Sequence, residues 1–227
     1  DPSRPSISLA MAVRNGAPFV DGALCGIGAQ TIAPDQIVLV DDGSDDTTLD
    51  TLNRFRSQSS GCVTVLSQPR LGLAAARNAA LKASHTTWQI ILDADDVPAP
   101  VLVEKMLRFV QARPQTALAH GRRKAPAWTL LQSNPMHSTS GTIINRDRAI
   151  AAGGFDEGLT AMADVDMAFR IGQMGGALHA VDEVLVSYRK HKNQVTTDWR
   201  RLQQNWERLF DKALSATPHD VAPMEHG

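Results

Sequence analysis

The greatest concentration of reactive groups in this chain is at Asp93, Asp95 and Asp96, which follow the apolar run Ile90-Ile91-Leu92 with only Ala94 among them. A short apolar run that stops at polar residues reads as a buried strand, and open α/β sheets gather ligands at the carboxyl ends of their strands. Three carboxylates this close raise one another's pKa unless a cation intervenes. Oxygen ligands of this kind select magnesium or manganese over zinc or copper. A plainer alternative is that Asp95 or Asp96 caps a following helix announced by Pro98 and Pro100. A second acidic run, Asp41-Asp42-Gly43-Ser44-Asp45-Asp46, closes another apolar stretch, and a third acidic pair, Asp164 and Asp166, opens a helical pattern. His191 lies within Arg189-Lys190-His191-Lys192. Alone, such a histidine is a solvated basic residue as readily as a metal ligand.

The elements that must position these groups follow from periodicity. Strands are expected at Ile7–Val13 and at residues 36–40, 62–66 and 88–92, and helices at residues 18–30 and 101–112. Between them, Leu49, Leu52 and Phe55 share one helix face, and the Ala-rich residues 71–83 form a helix able to pack closely on a sheet. Strands alternating with helices imply βαβ units, an α/β fold and a mainly parallel sheet. Right-handed crossovers put the strand ends on one edge, so the acidic runs after strands two and four face one crevice.

Beyond Pro114 the rhythm changes. A strand is expected at 118–122, a loop over the crevice at 123–137 that helps shape an acceptor site, and a strand at Thr142–Asn145. A short helix to Ala152 and the turn Gly153-Gly154-Phe155-Asp156 follow. The helix from Asp164 places Val165, Ala168, Phe169 and Gly172 on one face, so Asp164 and Asp166 are expected to project elsewhere. A last strand is expected at 184–188. Trp199, Leu202, Trp206, Leu209, Phe210 and Ala213 form an apolar stripe on a terminal helix, expected to pack back on the core rather than serve a membrane or a dimer. The tail from Pro218 is expected to be mobile.

Composition narrows the classes. With 227 residues the chain can bury one large core, and a formal charge of -1 offers no electrostatic case for nucleic acid or an anionic membrane surface. Cys25 and Cys62 are far apart and outside any CxxC spacing, which suggests neither zinc nor a disulfide framework. No membrane span or signal-peptide pattern is present in the sequence. A cytoplasmic setting is therefore expected, including the inner face of the membrane; peripheral membrane contact stays open but is not indicated. Opening at Asp1, the chain reads as a domain cut from something longer.

Taken together, these stretches resemble a family 2 glycosyltransferase of the GT-A fold. The resemblance rests on Val40-Asp41-Asp42-Gly43-Ser44, Gly72 with Ala75-Ala76-Arg77-Asn78-Ala79, Leu92-Asp93-Ala94-Asp95-Asp96, Gly153-Gly154-Phe155-Asp156-Glu157, Asp164-Val165-Asp166 and Tyr188-Arg189-Lys190-His191, in the family's order, over about residues 6 to 195. It implies a Rossmann-like nucleotide-binding half at 1–113, an acceptor and catalytic half of the same domain at 114–196, and a terminal helix and tail at 197–227.

It also implies a nucleotide-diphosphate sugar donor, a UDP-sugar first, and metal-assisted, inverting transfer to a hydroxyl of a carbohydrate or glycoconjugate acceptor. On that analogy Asp42 bonds the base edge, Arg77 holds the nucleotide and Asp93 the ribose. Asp95 and His191 hold a divalent manganese or magnesium ion, and Asp164 is the catalytic base. Plainer readings stay open: an Asx-turn for Asp42, an ion pair for Arg77, an N-cap for Asp164.

The family's Pro-Thr-Tyr-Asn ending of strand one is here Ala12-Val13-Arg14-Asn15, leaving Ala12 and Arg14 beside the nucleotide, Arg14 able to stack on a base through its guanidinium. The usual Glu-Asp is Ala163-Asp164. Residues 92–97 also fit a haloacid dehalogenase nucleophile motif, but that family carries it on strand one, and here three strands precede it. A nucleotidyltransferase and a catalytically degenerate donor-binding module of a larger synthase are the remaining alternatives.

Overall fold

The computed structural model describes residues 4–124, 139–191, 194 and 198–216. The expected loop at 123–137 falls mostly outside these residues, and so does the tail from Pro218.

Four strands, β1 (Ile7–Val13), β2 (Gln36–Asp42), β3 (Val63–Gln68) and β4 (Trp88–Asp93), pair in parallel in the order β3-β2-β1-β4. Helices α1 (Val20–Gly28), α2 (Thr48–Gln58) and α3 (Leu73–Ala83) link them, as the alternation of patterns predicts. Strands β1 and β2 are buried along their whole length, which explains their near-continuous apolar character. On one face of the sheet, Ala76 and Ala80 of α3 meet Ala10, Ala12, Val38 and Val40. Small side chains on both surfaces let this helix lie close to the strands. On the other face, Leu9, Met11, Leu39 and Leu92 pack with Val20, Leu24 and Leu52.

The second half completes and bends this sheet. After β4 come a two-residue strand β5 (Val97–Pro98), helix α4 (Leu102–Ala112), and strands β6 (Thr116–Lys124) and β7 (Thr142–Asn145). Helices α5 (Arg146–Ala151) and α6 (Ala163–Gln173), strand β8 (Ala177–Ser187) and helix α7 (Trp199–Ala216) follow. The eight-stranded order is β3-β2-β1-β4-β7-β6-β8-β5. β5 follows β4 after only three residues yet pairs at the far edge with β8, so the sheet must curl until its end returns to the β4 terminus. That curl brings the residues after β8 back to the acidic turn.

Three expectations need correction. β8 begins at Ala177, well before residue 184, because its first half carries exposed side chains such as Leu178 and is held by parallel pairing to β6 rather than by an apolar pattern. In α6, Asp166 points inward with Met167, Ala168 and Ile171, while Phe169 is exposed. A charge on the buried face is tolerated because Arg170 Nε donates to Asp166 Oδ2 at 2.9 Å and Lys212 Nζ of α7 lies 2.8 Å from Oδ1. Lastly, α7 docks with one edge of its apolar stripe rather than the whole of it: Leu209 is buried beside Asn205, whereas Trp199, Trp206 and Phe210 are 64%, 38% and 60% exposed.

Candidate active site at the carboxyl edge of the sheet

Chain geometry at the strand ends decides which acidic side chains meet. Ala12, near the end of β1, is in register with Val40 of β2 and Asp93 of β4 and is buried. Asp42 ends β2 and Asp93 ends β4, so one strand separates them, about 10 Å at ordinary strand spacing. Arg14, just past β1, is exposed on the same edge.

Asp42 is engaged by its own chain. Gln68 Nε2 and the Leu71 amide donate to Oδ1 at 2.8 and 2.9 Å, and the Gly72 amide donates to Oδ2 at 2.9 Å. The carboxylate thereby pins the β3–α3 connection over the crevice. Gly43 next to it turns with φ +67, and a Cβ there would meet the Arg70 amide nitrogen at 2.7 Å, so only glycine permits this approach. The acidic residues that follow build the loop: Asp46 accepts from the Thr48 and Ala17 amides.

At the end of β4 the three carboxylates diverge. Asp93 is bound by Arg77 Nη2 of α3 at 2.6 Å, and that guanidinium sits 5.6 Å from the Phe155 ring centre. Burial pushes the Asp93 carboxyl above the usual carboxylate range, Arg77 pulls it back, and the charges of Asp95 and Asp164 push it up. Asp96 turns into the protein: it is buried, accepts from the Arg189 amide at 3.2 Å, and is pushed up to about 7, first by burial and then by Asp93 and Asp95. It ties the chain leaving β8 to the acidic turn.

Asp95 turns the other way. Its Oδ2 lies 2.9 Å from His191 Nε2, and Gln194 Nε2 reaches it at 3.4 Å. His191 stacks on Phe19, which precedes α1, with ring centres 4.3 Å apart and planes 22° apart. The Asp95–His191 contact is a hydrogen bond between a carboxylate and an imidazole, two groups that magnesium or manganese accepts as ligands once the proton between them is lost. Among the described residues no group of three or more His, Cys, Asp or Glu is arranged to hold a metal ion. Asp95 and His191 are the described residues that could contribute to holding a divalent cation.

Asp164 occupies the first turn of α6 and accepts from Thr139 Oγ1 at 2.6 Å. Ser140, the next residue, accepts from the Asp93 amide through its hydroxyl at 3.2 Å. The short segment 139–140 thus bridges Asp164 to the β4 terminus. Ala163, standing where the resembled family has glutamate, is packed with Phe155, Leu159 and Met167.

The structure brings Asp93, Asp95, Asp164, Arg77 and His191 to one region, with Ala12 beside them and Asp42 at its flank. Phe19, Gln68, Thr139 and Gln194 join them without having been singled out in the sequence, and Asp96, named there only as part of the acidic cluster, proves to be the inward-facing tie to the Arg189 amide. Only the Ser-Thr-Ser-Gly run at 138–141 carried a local signal, as a stretch of small hydroxyls beside a glycine.

Over residues 8–146 the sequence matches the model of the family described as Glycosyl transferase family 2. The chain belongs to that family. It is 31% identical over 104 residues to the putative glycosyltransferase EpsH of Bacillus subtilis, covering 46% of this chain and 30% of EpsH. It spans about a third of the length of the first curated relatives it matches.

In structure it is similar to the mannosyltransferase PcManGT of Pyrobaculum calidifontis in complex with GDP-Man and Mn2+. The TM-score is 0.80 at 23% identity, over 96% of this chain and 67% of that one. S. aureus TarS 1–349 in complex with UDP-GlcNAc superposes with a TM-score of 0.71 at 18% identity, over 85% of this chain and 61% of that one. The fold is that of the GT-A glycosyltransferases. Among the described residues no helix is long and apolar enough to cross a membrane.

Proposed function

We propose that this family 2 member transfers a sugar from a nucleotide-diphosphate donor to a hydroxyl of a carbohydrate or glycoconjugate acceptor, with inversion, and with Asp164 as the base. The observation that supports the reading is the two-residue bridge Thr139–Ser140, which ties Asp164 to the Asp93 end of β4 in the region that also holds the Asp95–His191 pair. Asp164 takes the acceptor proton as that oxygen attacks the anomeric carbon; the bond from that carbon to the diphosphate oxygen breaks on the opposite side. A single base in this position gives inversion. Thr139 occupies one Asp164 oxygen by hydrogen bonding and fixes which way the other faces. Asp95 and His191 are the residues that would hold manganese or magnesium, which when bound stabilises charge on the departing diphosphate. Arg77 and Asp93, locked together, form the floor for the ribose and phosphates.

Asp42 favours uracil over guanine. An ionised carboxylate offers about four acceptor sites, and three are already used by Gln68, Leu71 and Gly72. One site remains. Uracil presents a single ring N–H, whereas guanine presents a ring N–H beside an amino group and asks for two acceptors.

The test is transfer and donor binding in Asp164→Asn. Donor affinity should hold while transfer falls by a factor of ~10² or more, as expected on losing a general base. Unchanged turnover removes Asp164 from the mechanism. Release of pyrophosphate instead of nucleoside diphosphate would identify a nucleotidyltransferase. Tight donor binding with no transfer across a broad acceptor panel would identify the binding module.

A further inference from the structure

Helix α7 has two working faces, and among the described residues only one is packed against the body of the fold. Its inner face is fastened by polar contacts: Asn205 Oδ1 accepts from the Ala161 amide at 3.2 Å, Arg201 donates to Thr160 O at 2.6 Å, and Lys212 bridges Asp156 and Asp166. Trp199, Leu202, Trp206 and Phe210, spaced three, four and four residues apart, form a continuous stripe to one side of that face. Trp206 and Phe210 lie against each other with ring centres 5.7 Å apart and planes tilted by 36°. A stripe of this size, contiguous and aromatic, marks an interaction surface rather than scattered exposure.

The charges beside the stripe select its occupant. At 100° per residue, Arg200, Gln203, Glu207 and Asp211 fall on one flank of it, and all are exposed. The cation lies toward the amino end and the two carboxylates toward the carboxyl end. Glu207 and Asp211 beside the aromatics argue against an anionic lipid surface.

We propose that the stripe pairs with the same stripe of a second copy of this chain, the two α7 helices running antiparallel about a two-fold axis. In an antiparallel pair each flank meets the same flank of its partner. With Trp199 opposite the partner's Phe210 and Leu202 opposite the partner's Trp206, Arg200 falls between the partner's Glu207 and the partner's Asp211. The same contact recurs across the axis. A parallel pair would set this flank against the one already fastened to the body.

The area is sufficient for a modest affinity. An aromatic side chain carries ~150–250 Å², so the exposed parts of Trp199, Trp206 and Phe210 bury on the order of 300 Å² per copy. With Leu202 and the charged flank the total approaches the ~1,000 Å² of a specific but weak pair.

The experiment is sedimentation of the 227-residue chain across micromolar concentrations, where the expected mass rises from 24.5 kDa toward twice that value. Arg200→Glu makes the flank wholly acidic, and Glu207→Lys with Asp211→Lys makes it wholly basic. Each variant alone should dimerise at least ~10-fold more weakly, while an equimolar mixture of the two should recover a heterodimer. All three positions are exposed, so folding is not at stake. A chain that stays monomeric at all concentrations overturns the proposal. So does a dimer indifferent to both variants, and so does a monomer that instead binds neutral phosphatidylcholine vesicles through Trp206.

Discussion

Replacing Asn78 by alanine should cost the fold about 2–6 kcal/mol, although the side chain hydrogen-bonds none of the residues assigned to the donor. Asn78 is buried on α3, where Nδ2 donates to Phe155 O at 2.8 Å and to Glu157 at 2.9 Å, while Oδ1 accepts from the Phe155 amide at 2.8 Å. Phe155 is itself buried, so alanine leaves one buried N–H and one buried C=O without partners, at about 1–3 kcal/mol each. Gly154 turns there with φ +72, and a Cβ on it would meet Asn78 Oδ1 at 2.5 Å, so the carboxamide is closely seated against the turn it holds.

For a chain of this size each kcal/mol shifts Tm by about 2–4 °C, so calorimetry should show a fall of about 5–15 °C. Gln203→Ala, which removes an exposed bond to Glu207, serves as the control and should stay within about 0.5 kcal/mol. Asn78→Asp separates the two halves of the argument. It keeps the acceptor for the Phe155 amide but loses both donors, and should regain stability on acidification as the protonated acid recovers one. A Tm for Asn78→Ala within about 2 °C of the parent, or a control that falls as far, would refute the reasoning.

Asp95→Ala should abolish any gain in donor affinity from manganese, checked by titration calorimetry with and without the ion; equal gains in both proteins would count against Asp95 as a ligand. In metal-free buffer, Asp96 should give stability a pH slope. Its carboxyl is raised to about 7 in the folded chain, so the native state binds the extra proton. Stability from this group is therefore full below the ordinary carboxylate range, declines as pH rises, and is lost above about 7. Chemical denaturation of Asp96→Asn should show that slope flattened, and an unaltered slope would contradict the assignment. Lys212→Ala should leave Asp166 with one cation instead of two and loosen α7, costing about 1–3 kcal/mol and exposing the helix to limited proteolysis; resistance equal to the parent would show α7 held by other contacts.

The amino-acid sequence alone determined the first half of this protein. The alternation of buried strands with Ala-rich and amphipathic helices dictates parallel β1 to β4, and the acidic residues at their carboxyl ends are legible because a strand terminus is a local feature. What no local pattern carried is which of those acids face each other. Asp95, Asp96 and Asp93 are neighbours in the chain, yet they go respectively to His191, the Arg189 amide and Arg77, because β5 pairs with β8 and the curled sheet returns its far edge to the acidic turn.

The buried face of α6 was hidden for the same reason. Asp166 is inward because Lys212, distant in sequence, joins Arg170 of the same helix in neutralising it. The stripe on α7 shows the converse: periodicity located it correctly, but only the packed structure could decide that polar anchors, not aromatics, face the core. Burial is a property of where chain segments meet, and segments far apart in sequence leave no periodic trace of the meeting.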